Sequence, residues 1–244
     1  MKRGAKPKGQ VRIEWTPDFA YSIGLLTADG CLSKNGRHID FTSKDRDLVL
    51  TFRACLRLKV KVSPKWSGGG SKSYHVQFGD VLFYRFLNGV GLTSAKSKTI
   101  LHVHVPDTFF FDFLRGYFDG DGCSYSYYDP VFPNSFRFYI SFISASPLFL
   151  KWLQTEIFKK TGILGSINGY RDKPYVQLRY AKKEAVVLST KMYYRTDVSH
   201  LRRKRLKIEK ALRIIERRSG EIGIHAAFRA QSRKGWRFKS SLRH

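Results

Sequence analysis

The chain has 244 residues, 42% hydrophobic and 15% aromatic, and its 45 Lys and Arg outweigh 19 Asp and Glu to leave a formal charge of +26. Such a chain is long and apolar enough to bury a real core in one or two domains, and its charge is that of a polyanion binder. It has neither a run of about eighteen apolar residues nor a long basic amphipathic helix with a bare apolar face, which disfavours a membrane and leaves nucleic acid as the partner class.

Residues 201–244 hold fifteen Lys and Arg against three Asp and Glu, and the other 200 residues still carry +14, so the basicity is not confined to the C-terminal end. Three cysteines, Cys31, Cys55 and Cys123, show no Cys-x-x-Cys spacing, which excludes a disulfide framework or zinc ribbon and points to a reducing compartment. Residues 1–14 form a basic arm without the apolar stretch of a secretory signal. The expected location is therefore intracellular, in cytoplasm, nucleoid or organelle matrix, and not secreted.

In chain order, Thr16-Pro17-Asp18 opens a helix with proline in its first turn, and the helix runs to Ala28 before Asp29-Gly30 ends it. Asn35-Gly36 marks a hairpin turn, and the strand His38–Ser43 alternates, with Ile39 and Phe41 on one side and His38, Asp40 and Thr42 on the other. An amphipathic helix over Asp45–Leu58, a hairpin turning at Ser67–Ser71 and a closing helix over Val81–Leu92 complete a unit. The same order then recurs: a helix ending at Gly120, strands Cys123–Tyr128 and Phe136–Ser144, a helix over Ser146–Thr161, strands Ser166–Tyr170 and Tyr175–Tyr180, and a helix over Glu184–Tyr194. Leu201–Arg218 reads as one more basic helix and 220–244 as a basic tail, which places the two units at 15–108 and 109–219.

Local repeats support this duplication. Ser22-Ile-Gly-Leu-Leu-Thr-Ala-Asp29-Gly30-Cys31 parallels Leu114-Arg-Gly-Tyr-Phe-Asp-Gly-Asp121-Gly122-Cys123, at an offset of 92 between the aspartates. Ile39-Asp-Phe41-Thr-Ser43 recurs as Ile140-Ser-Phe142-Ile-Ser144, and Val76-Gln77-Phe78 as Val176-Gln177-Leu178, at offsets of 101 and 100. An insertion of about nine residues within Tyr125–Phe136 reconciles the offsets. Gly24 and Ala28 in one motif helix, and Gly116 and Gly120 in the other, form small-residue stripes through which two backbones can approach. Packed as a pair, the helices would bring Asp29 and Asp121 together, and two like charges call for a divalent cation between them. Oxygen ligands favour Mg²⁺, with Mn²⁺ or Ca²⁺ able to substitute for binding and phosphates completing the shell.

The paired segments resemble the motifs of LAGLIDADG homing endonucleases in their single-chain, two-motif form, over about residues 15–218. Leu114–Gly122 is close to the family pattern, whereas the first motif has Ser22 for the initial Leu and Thr27 for the inner Asp. The resemblance implies an α+β fold of two pseudo-symmetric αββαββα units, forming a saddle of antiparallel sheets over double-stranded DNA with the motif helices at the interface. It implies a monomer that makes a Mg²⁺-dependent double-strand break with short 3′ overhangs. Asp29, Asp121, Ala28 and Gly120 would hold metal, the two aspartates through their side chains, and Lys96 and Lys204 would be the catalytic basic residues after each closing helix, Arg203 being the alternative to Lys204. Ser43 and Ser144 are weaker candidates near the water network. The other reading is a catalytically inactive maturase or DNA- or RNA-binding regulator of the same fold, with host intron RNA as a further partner.

Base contacts are expected from the polar strand faces, because a two-stranded ribbon fits the major groove. The first unit offers Ser33, Arg37, His38, Asp40, Thr42, Lys61, Ser63, Lys65, His75 and Gln77. The second offers Tyr125, Tyr127, Arg137, Tyr139, Ser141, Ser166, Asn168, Tyr170, Tyr175, Gln177 and Arg179. The two sets differ chemically, so a long non-palindromic target is expected.

Overall fold

A computed structural model describes residues 9–169 and 173–219; most of the basic N-terminal arm, Tyr170 and the 220–244 tail lie outside that range. Helix α1 (Pro17–Asp29) starts where Thr16 Oγ1 accepts the Phe19 N–H at 3.1 Å, with proline in its first turn. It leads into a hairpin of β1 (Gly30–Leu32) and β2 (His38–Ser43), then α2 (Arg46–Cys55). A second hairpin, β3 (Ser63–Trp66) and β4 (Lys72–Gly79), is followed by α3 (Val81–Gly89), whose first turn is capped by Asp80 Oδ1 accepting the Phe83 N–H at 2.8 Å. The order repeats in α4 (Phe110–Asp121), β5 (Gly122–Tyr128), β6 (Phe136–Ser144), α5 (Pro147–Thr161), β7 (Ser166–Gly169), β8 (Val176–Tyr180) and α6 (Lys182–Met192). Helix α7 (Arg202–Ser219) follows.

The strands form two antiparallel sheets of matching topology, β1-β2-β4-β3 and β5-β6-β8-β7, so the fold is α+β with two αββαββα units. Their registers correspond. Phe41 lies opposite Gly30 and Val76, and Phe142 lies opposite Gly122 and Leu178. This corrects the third sequence repeat, because the structural partner of Val76 is Leu178 and not Val176. A shift of two residues keeps every side chain on its face, so a strand pattern alone cannot exclude it. Val76 and Leu178 are both completely buried.

Helices α2 and α3 stop short of Leu58 and Leu92. Arg57 at φ +52° and Gly91 at φ +105° turn the chain left-handed, and Leu58 N–H and Leu92 N–H donate back to Arg53 O and Leu87 O at 2.9 and 2.8 Å. In this helix-ending motif the following apolar residue folds back on the last turn, which continues a helical hydrophobic pattern past the helix. The insertion in the second unit lengthens its first hairpin, so that β5 and β6 pair from Gly122↔Phe142 out to Tyr128↔Phe136.

Helices α1 and α4 cross at the centre of one continuous core. In α1 every residue from Phe19 to Thr27 is buried, as expected for a helix apolar on all sides. The crossing is backbone on backbone: a Cβ on Gly24 would lie 2.1 Å from Phe113 O, and one on Gly116 would lie 2.0 Å from Tyr21 O. Carbonyl groups of a packed helix cannot yield as a flexible side chain can, so any side chain there must push the helices apart. Gly116→Ala is expected to cost about 3 kcal/mol or more, which is roughly 6–12 °C of melting temperature. Gly89→Ala, where a Cβ meets nothing within 4 Å, serves as the control and should stay within about 1 kcal/mol of the parent in the same thermal melt.

Candidate functional site

Asp29 and Asp121 are the last residues of α1 and α4, and Gly30 and Gly122 then turn the chain directly into β1 and β5. A Cβ at either glycine would come within 2.5 Å of a helix carbonyl, Leu26 O or Phe118 O, so the sharp exit depends on the missing side chain. The two acids meet because the helices touch. A Cβ built on Gly120 would lie 2.3 Å from Ala28 Cβ and 3.3 Å from Asp29 Oδ2, so the Asp29 carboxylate reaches across to the end of α4. Asp29 keeps an open face and Asp121 is half-buried, yet both are backed by protein. Loss of hydration, with the Asp121 charge second, pushes Asp29 up to about 6 against the pull of Lys204 and Lys96. Burial likewise raises Asp121, opposed by the same two lysines. A cavity of about 290 Å³ lies beside Asp121, lined among others by Ala28, Ser97, Tyr117 and Ser144.

Both lysines are brought to these helix ends. Lys204 Nζ, near the start of α7, lies within hydrogen-bonding distance of Phe118 O, Asp119 O, Gly120 O and Gly122 O, at 2.7, 2.8, 3.0 and 2.7 Å. Lys96, on a single 3₁₀ turn (Lys96–Lys98), donates to Gly30 O. Each ammonium thus sits where the carbonyls of a motif helix end and its dipole is negative. Burial lowers both lysines from their ordinary range, and nearby aspartates oppose it, Asp121 and Asp29 at Lys96 and Asp119 at Lys204. Ala95, at φ +57°, supplies the left-handed turn that starts the 3₁₀ segment, an uncommon conformation for a residue with a Cβ. Arg203, the alternative to Lys204, is instead paired with Asp45 on the surface.

The inner motif position explains why Thr27 is tolerated. Asp119 Oδ2 accepts Tyr21 Oη–H at 2.7 Å and the Leu201 N–H at 2.6 Å, tying α1 and α4 to the start of α7, whereas Thr27 Oγ1 donates to Ile23 O within its own helix. Sequence reasoning missed Arg115, which is wholly buried in α4 and binds Asp112 Oδ1, Met192 O and Ser199 O at 2.6, 2.7 and 2.7 Å. The available signal was a cation three residues after an acid inside an otherwise apolar motif helix. Ser43 and Ser144 have equivalent local roles, accepting the N–H of Asp45 and of Ser146 in the turns before α2 and α5, and Ser144 also borders the cavity.

Cross-strand register puts most of the expected DNA-facing residues on one side of each sheet. In the first, Asp40 lies opposite Gln77, and Thr42 and Ser63 flank His75. Asp40 is already committed there, binding His75 Nδ1 at 2.9 Å and Thr42 Oγ1 at 2.6 Å. In the second, Tyr125 lies opposite Tyr139 and Tyr127 opposite Arg137, while Gln177 faces Asn168 and Arg179 faces Ser166. Tyr125 and Tyr127 stack on Tyr139 at 5.0 and 6.3 Å, and Arg179 lies over the same ring. His38 and Lys65 are on strands, Ser33, Arg37 and Lys61 are in adjoining loops, and Tyr175 directly precedes β8. Ser141 departs from expectation: it is fully buried, with Oγ donating to Cys123 O at 3.4 Å, and it lies opposite Arg179, whose guanidinium is over the Tyr139 ring. Tyr170 lies outside the described residues.

The residues fit a hard divalent cation, though only as part of its shell. Two carboxylates converge with carbonyl oxygens nearby, and no cluster of three or more His, Cys, Asp or Glu occurs among the described residues. The Gly120 carbonyl assigned to the metal already accepts from Lys204, with one lone pair left. All three cysteines are free thiols, and no helix among the described residues is long and apolar enough to cross a membrane.

The family described as LAGLIDADG-like domain matches residues 16–91, which is the unit whose motif departs further from the pattern. No curated protein matches the chain. Among solved structures, full-length DUF199/WhiA from Thermatoga maritima is similar at a TM-score of 0.54 and 16% identity, covering 86% of this chain and 64% of its own. The match therefore takes in less than two thirds of that protein's length. The homing endonuclease I-WcaI bound to its DNA recognition sequence is similar at a TM-score of 0.55 and 12% identity, over 80% of this chain and 88% of its own. The LAGLIDADG homing endonuclease I-LtrWI bound to target DNA gives 0.56 and 10%, over 89% and 96%. At these identities the likeness is one of fold: residues 16–91 match the LAGLIDADG-like domain family, and the second unit repeats the element order and sheet topology of the first.

Proposed function

We propose that the chain is a site-specific DNA endonuclease of the homing type, cutting both strands of a long non-palindromic duplex and leaving short 3′ overhangs. The observation that carries this reading is the meeting of Asp29 and Asp121 at the ends of α1 and α4. A protein that only binds phosphates gains nothing from two juxtaposed acids, which repel both each other and the ligand. Bound at these carboxylates, a divalent cation such as Mg²⁺ would supply Lewis acidity at the attacked phosphate. The chain's own residues do the rest: the sheets fix the duplex in register, Lys204 and Lys96 hold the helix ends, and the cavity beside Asp121 leaves room for water near the phosphate. The chemically different sheet faces support a target whose halves differ, and a single chain holding both units supports action as a monomer.

The fold is similar to DUF199/WhiA as well as to homing endonucleases, so a second reading is a protein of this fold that binds DNA or RNA without cutting. The two readings part at the aspartates. With Mg²⁺ and a plasmid bearing the preferred target, the parent should yield linear DNA, and Asp29→Asn or Asp121→Asn should each slow cutting by about 10³-fold. Gel-shift affinity of the same variants should stay within about threefold or improve, since a negative charge beside phosphate is removed. A parent that binds tightly and never linearises its target would establish the second reading. Under either one, log K should fall with log salt at a slope of roughly −5 or steeper, as phosphate contacts release counterions. A flat dependence in a fluorescence titration would contradict binding led by the basic surface.

A further inference from the structure

Resting on that reading, we infer that the two lysines of the site are not equivalent: Lys204 is a fully committed positioning residue, and Lys96 alone keeps N–H groups for the substrate, so the two strands are cut at different rates. An ammonium has three donors. Lys204 Nζ lies within 3.0 Å of four backbone carbonyls, Phe118 O, Asp119 O, Gly120 O and Gly122 O, more acceptors than it has protons. Its position over the Phe118 ring, 5.3 Å from the centroid, closes it in further. Lys96 Nζ donates to Gly30 O, and among the described residues its other two protons meet no acceptor, in a residue only 5% exposed. Buried donors left unpaired are costly, and a phosphate oxygen or its attacking water would satisfy them.

The surroundings agree with this division of labour. Ser97, next to Lys96, lines the cavity beside Asp121, so the segment carrying Lys96 forms part of the wall where a phosphate and water would enter. Lys204 belongs to a different arrangement, the junction at which Asp119 accepts the Leu201 N–H. Its work is to hold the end of α4, and through it Asp121.

The test follows each strand separately, with different 5′ labels on a duplex selected from a randomised library, for the parent and for Lys96→Met and Lys204→Met. Lys96→Met should slow one strand by about 100-fold and the other far less, so that nicked duplex accumulates. Lys204→Met should lower the melting temperature and slow both strands alike, and Lys204→Arg stands in if the methionine variant fails to fold. Equal slowing of both strands by Lys96→Met, or strand-selective slowing by Lys204→Met, would overturn the inference. A second measurement needs no cleavage: in ¹⁵N-lysine protein, the Lys204 ammonium protons should exchange with water much more slowly than those of Lys96. Should the parent cut no duplex in the library with Mg²⁺, the endonuclease reading falls, and the exchange rates still decide the inequivalence, equal rates overturning it.

Discussion

Two helix backbones in contact at Gly24 and Gly116 are the constraint on which the remainder of this protein depends. With no Cβ at either position, α1 and α4 approach until each faces the other's carbonyls, a spacing that any side chain would forbid. Because both helices end a similar distance beyond the crossing, their last residues arrive together. The pseudo-symmetry of the fold, the single core and the pairing of Asp29 with Asp121 all stem from that approach.

Close packing of two helix ends also concentrates negative potential. The last four carbonyls of each helix lack an intrahelical partner, the negative ends of the two dipoles converge, and two carboxylates are added. The structure offsets this with one buried lysine per helix end, each delivered by the segment after its unit's closing helix. The offset is incomplete, since both aspartates remain raised above the ordinary carboxylate range. A pocket that holds two acids together under such tension favours any cation able to enter it.

The halves diverge wherever symmetry is not enforced by the helix pair. A longer β5–β6 hairpin carries a stacked tyrosine surface in the second unit, while the first unit presents a network joining Asp40, His75 and Thr42. The lysines differ likewise, Lys204 lying among four carbonyls and Lys96 bonded to one among the described residues. A single chain can accumulate such differences because each half is free to change without its copy.

What could be read from residues alone was what repeats locally: the two motif helices, the hairpin at Asn35-Gly36, the alternating strand His38–Ser43, and the small-residue stripes that implied the crossing. Period and turn chemistry are properties of neighbouring residues, so they survive in a linear pattern. The register of Val76 against Leu178, the burial of Ser141, the four-carbonyl cage around Lys204 and the Arg115 network were decided by tertiary structure. Each depends on partners distant along the chain, and a strand pattern of period two or a lone basic residue is compatible with several of them. The sequence thus determined the two units and the acids they would bring together, while packing decided which polar groups were consumed in holding that arrangement and which were left to meet a substrate.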